Sequence, residues 1–119
     1  MRYIAIVHFD PAILDNMPLA ERQDVDRQTG ALNKEMEEAG ILVHAEAIEG
    51  GDTAKLVRVR NGKTTVTDGP YMETKEQMAG FVLFEARDLN EAIAWQDRDP
   101  LAGIGTIEIR PIYNIPTPP

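Results

Sequence analysis

Gly80-Phe81-Val82-Leu83-Phe84-Glu85-Ala86 runs directly into Arg87-Asp88-Leu89-Asn90-Glu91-Ala92, and the join between the two decides the fold. Phe81 to Phe84 are apolar on both alternating sets of positions, the pattern of a strand buried on both faces. Asp88, with Glu91 three residues later, opens a helix through a capping box. The buried stripe of that helix is expected at Leu89, Ala92 and Ile93, with Trp95 at the rim. Pro100 bars its continuation, and Gly105 to Ile112 reads as a closing strand. Strand, helix and strand follow one another.

Toward the N-terminus the same order appears again. Tyr3 to Phe9 is a strand rich in β-branched and aromatic residues, ended by Asp10-Pro11. After a loop, Asp15 or Asn16 is placed to cap a helix that begins at Pro18. Its narrow stripe is Leu19, Val25, Leu32 and Met36. The helix runs to Ala39 and stops at Gly40, and Gly30 inside it marks a site for a break or kink. Ile41 to Ile48 is the next strand. Between the halves, Lys55 to Arg60 and Lys63 to Asp68 flank Asn61-Gly62, a strong two-residue hairpin signal. That turn pairs Arg60 with Lys63, Val57 with Val66 and Lys55 with Asp68. It puts Val57, Val59 and Val66 on one face and Arg58, Thr65 and Thr67 on the other. Gly69 to Ala79 reads as a polar loop with one helical turn from Thr74 to Gln77.

Two strand–helix–strand units around a hairpin predict an α+β fold, a ferredoxin-like split βαβ sandwich with an inserted β-hairpin. Residues 1–113 form one domain, and 114–119 form a proline-rich arm. Two helices cover one face of such a sheet, yet the Tyr3–Phe9 and Phe81–Phe84 strands are apolar on both. A second copy packed face to face answers this, so a homodimer forming an α/β barrel is expected. Folding of the hairpin or tail over the open face is the competing arrangement.

Composition narrows the function classes. Twelve Lys and Arg against twenty Asp and Glu give a net charge of −8 in 119 residues, which counts against a nucleic-acid binder. The chain has no cysteine, which excludes disulfides, thiol catalysis and thiolate-held metals. It also has no serine to act as a nucleophile. No apolar run reaches the roughly 20 residues of a membrane helix, and the first residues lack a signal-peptide pattern. The expectation is a cytoplasmic protein. No glycine-rich phosphate loop occurs, and the two histidines lack acidic neighbours at ligand spacing, so neither a cofactor nor a metal is expected.

Asp68, in Asp68-Gly69-Pro70-Tyr71, shares the Val66 face of the hairpin. It reads as a general base or ligand anchor, or as a turn-stabilising side chain. His8 ends the first strand and His44 lies within the second. Each is a proton-transfer candidate at neutral pH or a hydrogen-bonded structural residue. Glu73, Lys75 and Glu76 make a charged loop that covers a pocket or is simply solvated. Glu108 and Arg110 share a face of the last strand, as an ion pair or with Arg110 binding a ligand carboxylate. Asp68 and His8 are the catalytic candidates, and Tyr71, Lys75, Arg110 and His44 the ligand-binding ones.

Val66-Thr67-Asp68-Gly69-Pro70-Tyr71-Met72-Glu73-Thr74-Lys75-Glu76 resembles the signature of the YCII-related family, specifically its DGPF branch. The resemblance extends through Gly80-Phe81, Asp88-Leu89-Asn90-Glu91-Ala92 and Glu108-Ile109-Arg110-Pro111. Tyr71 stands where the branch usually has Phe. The resemblance implies a dimeric α+β barrel with a loop and strand-end cleft in each subunit. Some relatives are small-molecule enzymes using a His–Asp pair with the histidine in the first helix, where this chain has Arg27-Gln28-Thr29. Others are linked with alternative sigma factors. Two readings follow. One is a metabolite-binding protein with cofactor-free, isomerase- or lyase-like chemistry. The other is a non-enzymatic interaction module docking through the loop or tail.

Overall fold

The computed structural model describes residues 1–72 and 74–118; Glu73 of the signature and Pro119 of the tail lie outside the described residues. β1 (Arg2–Phe9) alternates strictly, burying Tyr3, Ala5 and Val7 on one side. It pairs antiparallel with β5 (Gln77–Glu85) and with β6 (Thr106–Pro111). β2 (Leu42–Ala47) pairs antiparallel with β5, giving the order β2-β5-β1-β6. Both crossovers skip one strand, and this is the split βαβ arrangement of the ferredoxin-like fold.

The two crossover helices are α2 (Leu19–Glu38) and α3 (Leu89–Gln96). They share one side of the sheet, where Leu32, Met36 and Ala92 pack with Tyr3, Ala5, Val82 and Phe84. Met36 and Phe84 are the largest fully buried side chains. Arg98 joins the helices through a paired contact with Glu35, its Nη1 3.0 Å from Oε1. This bond is the main cause of the lowered Glu35 pKa and the raised Arg98 pKa. No helix is long and apolar enough to cross a membrane among the described residues.

Several local expectations are corrected. The segment after β1 contains a short helix, α1 (Pro11–Asp15), whose N-cap is Asp10. Asn16 ends α1 and does not cap α2, whose N-terminus at Pro18 has no side-chain cap. α2 passes unbroken through Gly30, which faces open space. Leu19 is exposed, because the first turn of α2 overhangs the sheet and burial begins at Val25. On α3 the buried pair is Ala92 and Gln96, while Leu89 and Ile93 are half in solvent. Alanine lets that short helix settle close to the sheet, so the bulkier residues flank the contact. The Thr74–Gln77 turn is absent, since β5 already begins at Gln77. α4 (Leu101–Ile104) precedes β6.

The hairpin has the expected register throughout: β3 (Lys55–Arg60) and β4 (Lys63–Asp68) pair Arg60 with Lys63 and Lys55 with Asp68. Asn61 and Gly62 both have positive φ, as a primed hairpin turn requires. The pair forms its own sheet, standing off the four-stranded one. Its valine face meets no core: Val57, Val59 and Val66 are all exposed. With the extended tail, it stretches the radius of gyration to 16.7 Å, against about 13.5 Å for a compact chain of this length.

Candidate functional site

The side of the sheet away from the helices carries the second set of alternating residues. Register places Ile6 beside Phe81 and Glu108, Ile4 beside Leu83 and Arg110, and His8 beside Met78 and Thr106. The pairing of β1 with β5 shifts between Val7 and His8. Such an irregularity bends a strand and re-aims its side chains, here where the sheet meets the signature loop.

At that end lies a cleft of about 1080 Å³. Ile48, Leu56, Pro70, Tyr71, Met72 and Met78 supply its apolar walls, and His8, Glu76, Thr106 and Glu108 its polar floor. A 3₁₀ turn at Gly51–Thr53 forms one margin. Gly51 sits so close to Pro70 that a Cβ there would lie 3.0 Å from the proline Cβ.

The polar groups of the floor are tied together. His8 Nε2 lies 3.0 Å from Glu108 Oε1, and Arg110 Nε donates to Glu108 Oε2 at 2.9 Å. Thr106 Oγ1 donates to Glu76 Oε1 at 2.7 Å. The hydrogen bond from His8, then that from Arg110, hold the Glu108 carboxyl below its ordinary pKa. An ionised carboxylate only accepts, so Nε2 carries the proton in this pair. In the neutral ring Nδ1 is then the basic nitrogen.

The residues singled out in the sequence are only partly brought together. His8 and Tyr71 line the cleft, and Arg110 stands behind Glu108. Asp68 is exposed, engaged by Lys55 at the base of the hairpin, and outside the cleft lining. Lys75 is exposed and also outside it. His44 pairs with Glu46 at 3.2 Å on the β2 edge, three strand spacings or about 14 Å from β6. Among the described residues no three His, Asp or Glu side chains are grouped to hold a metal.

Sequence reading missed Glu108 as the partner of His8, because a strand-to-strand neighbour one hundred residues away leaves no local signal. It also missed Asp99, which is buried in a smaller cavity of about 400 Å³ between α2 and the sheet. Asp99 Oδ1 accepts from Thr29 Oγ1 at 3.1 Å and from the Leu101 backbone at 2.9 Å. Here α2 offers a hydroxyl that fastens it to the connection between α3 and α4. The Asp99-Pro100 step after α3 was its one sequence cue.

Fold and site define a small α+β domain with a ligand-sized cleft where the sheet end meets an Asp-Gly-Pro-aromatic loop. The YCII-related domain model matches residues 1–116, and the chain belongs to that family. An uncharacterised protein of Rhizobium meliloti (strain 1021) is 30% identical over 116 residues, spanning 94% of this chain and 92% of that one. Among solved structures, 5-chloro-2-hydroxyhydroquinone dehydrochlorinase from Burkholderia phenoliruptrix AC1100, in complex with 2,5-dihydroxybenzoquinone, superposes with a TM-score of 0.59. It covers 95% of this chain and 94% of its own at 15% identity, a likeness of fold.

Proposed function

We propose that the protein binds a small polar or aromatic molecule in the cleft beside the Asp-Gly-Pro-Tyr loop, with His8 and Glu108 as its acid–base pair. The observation that carries this reading is the pair itself. A histidine oriented by a carboxylate stands on the polar floor of an otherwise apolar, ligand-sized cavity. Glu108 holds the ring, Arg110 holds Glu108, and Tyr71 forms a wall. Asp68 with Lys55 secures the hairpin base. The chemistry within reach is a proton transfer at a ligand carbon or hydroxyl, of isomerase or lyase type. The structural neighbour's small-molecule chemistry supports the reading, and the Val66–Glu76 motif supports placement in the DGPF branch.

The proposal includes a homodimer formed through the open sheet face. The accessible surface is 8456 Å², whereas a folded monomer of 13.2 kDa exposes roughly 6,400 Å². The excess, about 2,000 Å² per chain, is of the size obligate dimers bury. Ile4, Ile6, Phe81 and Leu83 give that face an apolar centre.

Native mass spectrometry of gently purified protein tests both parts. The expected species has twice the 13.2 kDa chain mass and carries a releasable small molecule, which His8→Gln loses and Asp68→Asn keeps. An empty species in every preparation, with no small molecule retained by either variant, would count against the ligand reading. The exposed valine face and the extended arm with Tyr113 and Ile115 in solvent favour a second reading, a protein-docking module. Deleting residues 114–119 separates the two, since it abolishes tail docking and leaves the cleft intact.

A further inference from the structure

The charge of the cleft wall restricts what can enter it. Three of its residues are carboxylates, Glu49, Glu76 and Glu108, and among its described residues none is lysine or arginine. Among the described residues Glu49 and Glu76 have no cationic partner, and the Glu76 carboxylate accepts from the Thr106 hydroxyl. Of the two nearby arginines, Arg110 is paired with a carboxylate, while Arg58 lies outside the cleft lining and has no carboxylate partner among the described residues. Arg110 bonds to the second oxygen of Glu108, and Arg58 lies over the Tyr71 ring, 5.9 Å from its centre. The remaining walls are apolar and present flat or flexible surfaces: Pro70, Tyr71, Met72 and Met78. An entering anion meets repulsion from three carboxylates; Glu49 and Glu76 are exposed, so the repulsion is screened by salt. A donor group meets acceptors.

We infer that the cleft selects uncharged or cationic molecules with an apolar ring and hydroxyl or ammonium donors, and rejects carboxylates, phosphates and other anions. This rests on the small-molecule reading above and narrows it. The ring would pack between Tyr71, Pro70 and the two methionines, with its donors turned to Glu76 and Glu108 and its exchangeable proton presented to the His8 side of the floor. Lys75 and Arg110 then have no ligand anion to meet.

The test uses three near-isosteres that share a phenol ring: 4-ethylphenol, tyramine and 3-(4-hydroxyphenyl)propanoate. Binding is followed by the methyl resonances of ¹³C-labelled methionine in the full chain. Met72 and Met78 report the cleft, and fully buried Met36 is the control. Tyramine and 4-ethylphenol are expected to bind at least about tenfold more tightly than the propanoate. The double variant Glu49→Gln/Glu76→Gln, changed only at exposed side chains, should shrink that gap, as should added salt. Equal or tighter binding of the propanoate overturns the charge selection while leaving the cleft a ligand site. Absence of any Met72 or Met78 shift with all three, at millimolar concentration, overturns the selection and counts against the small-molecule reading too.

Discussion

Glu108 is held from two sides, by His8 through one oxygen and by Arg110 through the other, and the His8 bond contributes most to its lowered pKa. A carboxyl whose native pKa lies below its unfolded value stabilises the fold above the unfolded value. That contribution disappears as pH falls through the native one. Glu108→Gln should therefore be less stable than the parent at neutral pH, and the two melting curves should converge as the pH falls through and below the ordinary carboxylate range. A carboxyl titration by NMR checks the cause: His8→Gln should raise the Glu108 pKa more than Arg110→Gln does. Part of this was legible. Glu108 and Arg110 stand two apart on one strand face, so their ion pair is visible in sequence. The His8 contact was not, because only the β1–β6 register carries it. Asp68 shows the opposite case: the hairpin register put Lys55 across from it, and that ion pair formed, with neither residue lining the cleft.

Elements followed local chemistry where that chemistry was strong. Asp88 caps α3 through its side chain, accepting from the Glu91 backbone at 2.9 Å, as the capping box required. Asp88→Ala should cost about 1 kcal/mol in denaturant unfolding. The Asn61-Gly62 turn set its hairpin register without tertiary help. Where the sequence offered only weak stripes, packing decided. Alanine at position 92 let α3 approach the sheet and left Leu89 and Ile93 at the margin. Gly80 shows how close the strands lie beside the register shift. An added Cβ would stand 2.6 Å from the Glu46 carbonyl oxygen and 3.1 Å from the Ala47 Cα, both backbone atoms that cannot swing away. Gly80→Ala is expected to destabilise by roughly 1–3 kcal/mol and loosen β2 from β5. Hydrogen exchange should show that loosening first at the Glu46 and Ile48 amides, which face β5; Ile48 donates to the Ala79 carbonyl at 2.8 Å.

At the scale of the molecule, the proposed dimer would cover the open sheet face. Sedimentation should find a dimer at micromolar concentration, and Phe81→Asp, which puts a charge at the centre of the open face, should yield a monomer. A wild-type monomer would instead assign the excess area to the hairpin and tail. The sequence by itself determined the order of the strands and crossover helices, the hairpin register, the Asp88 cap and the α+β class. Each of these is set by neighbours within a few residues, where periodicity, turn chemistry and capping act directly. It also held the motif that marks the family. Only the tertiary structure decided which residues meet: His8 with Glu108 and Glu76 with Thr106 at the cleft, Thr29 with Asp99 in the smaller cavity, and Asp68 with none of them. The His8 meeting depends on strand order and on the β1–β6 register, and a one-residue slip of that register turns a side chain to the opposite face.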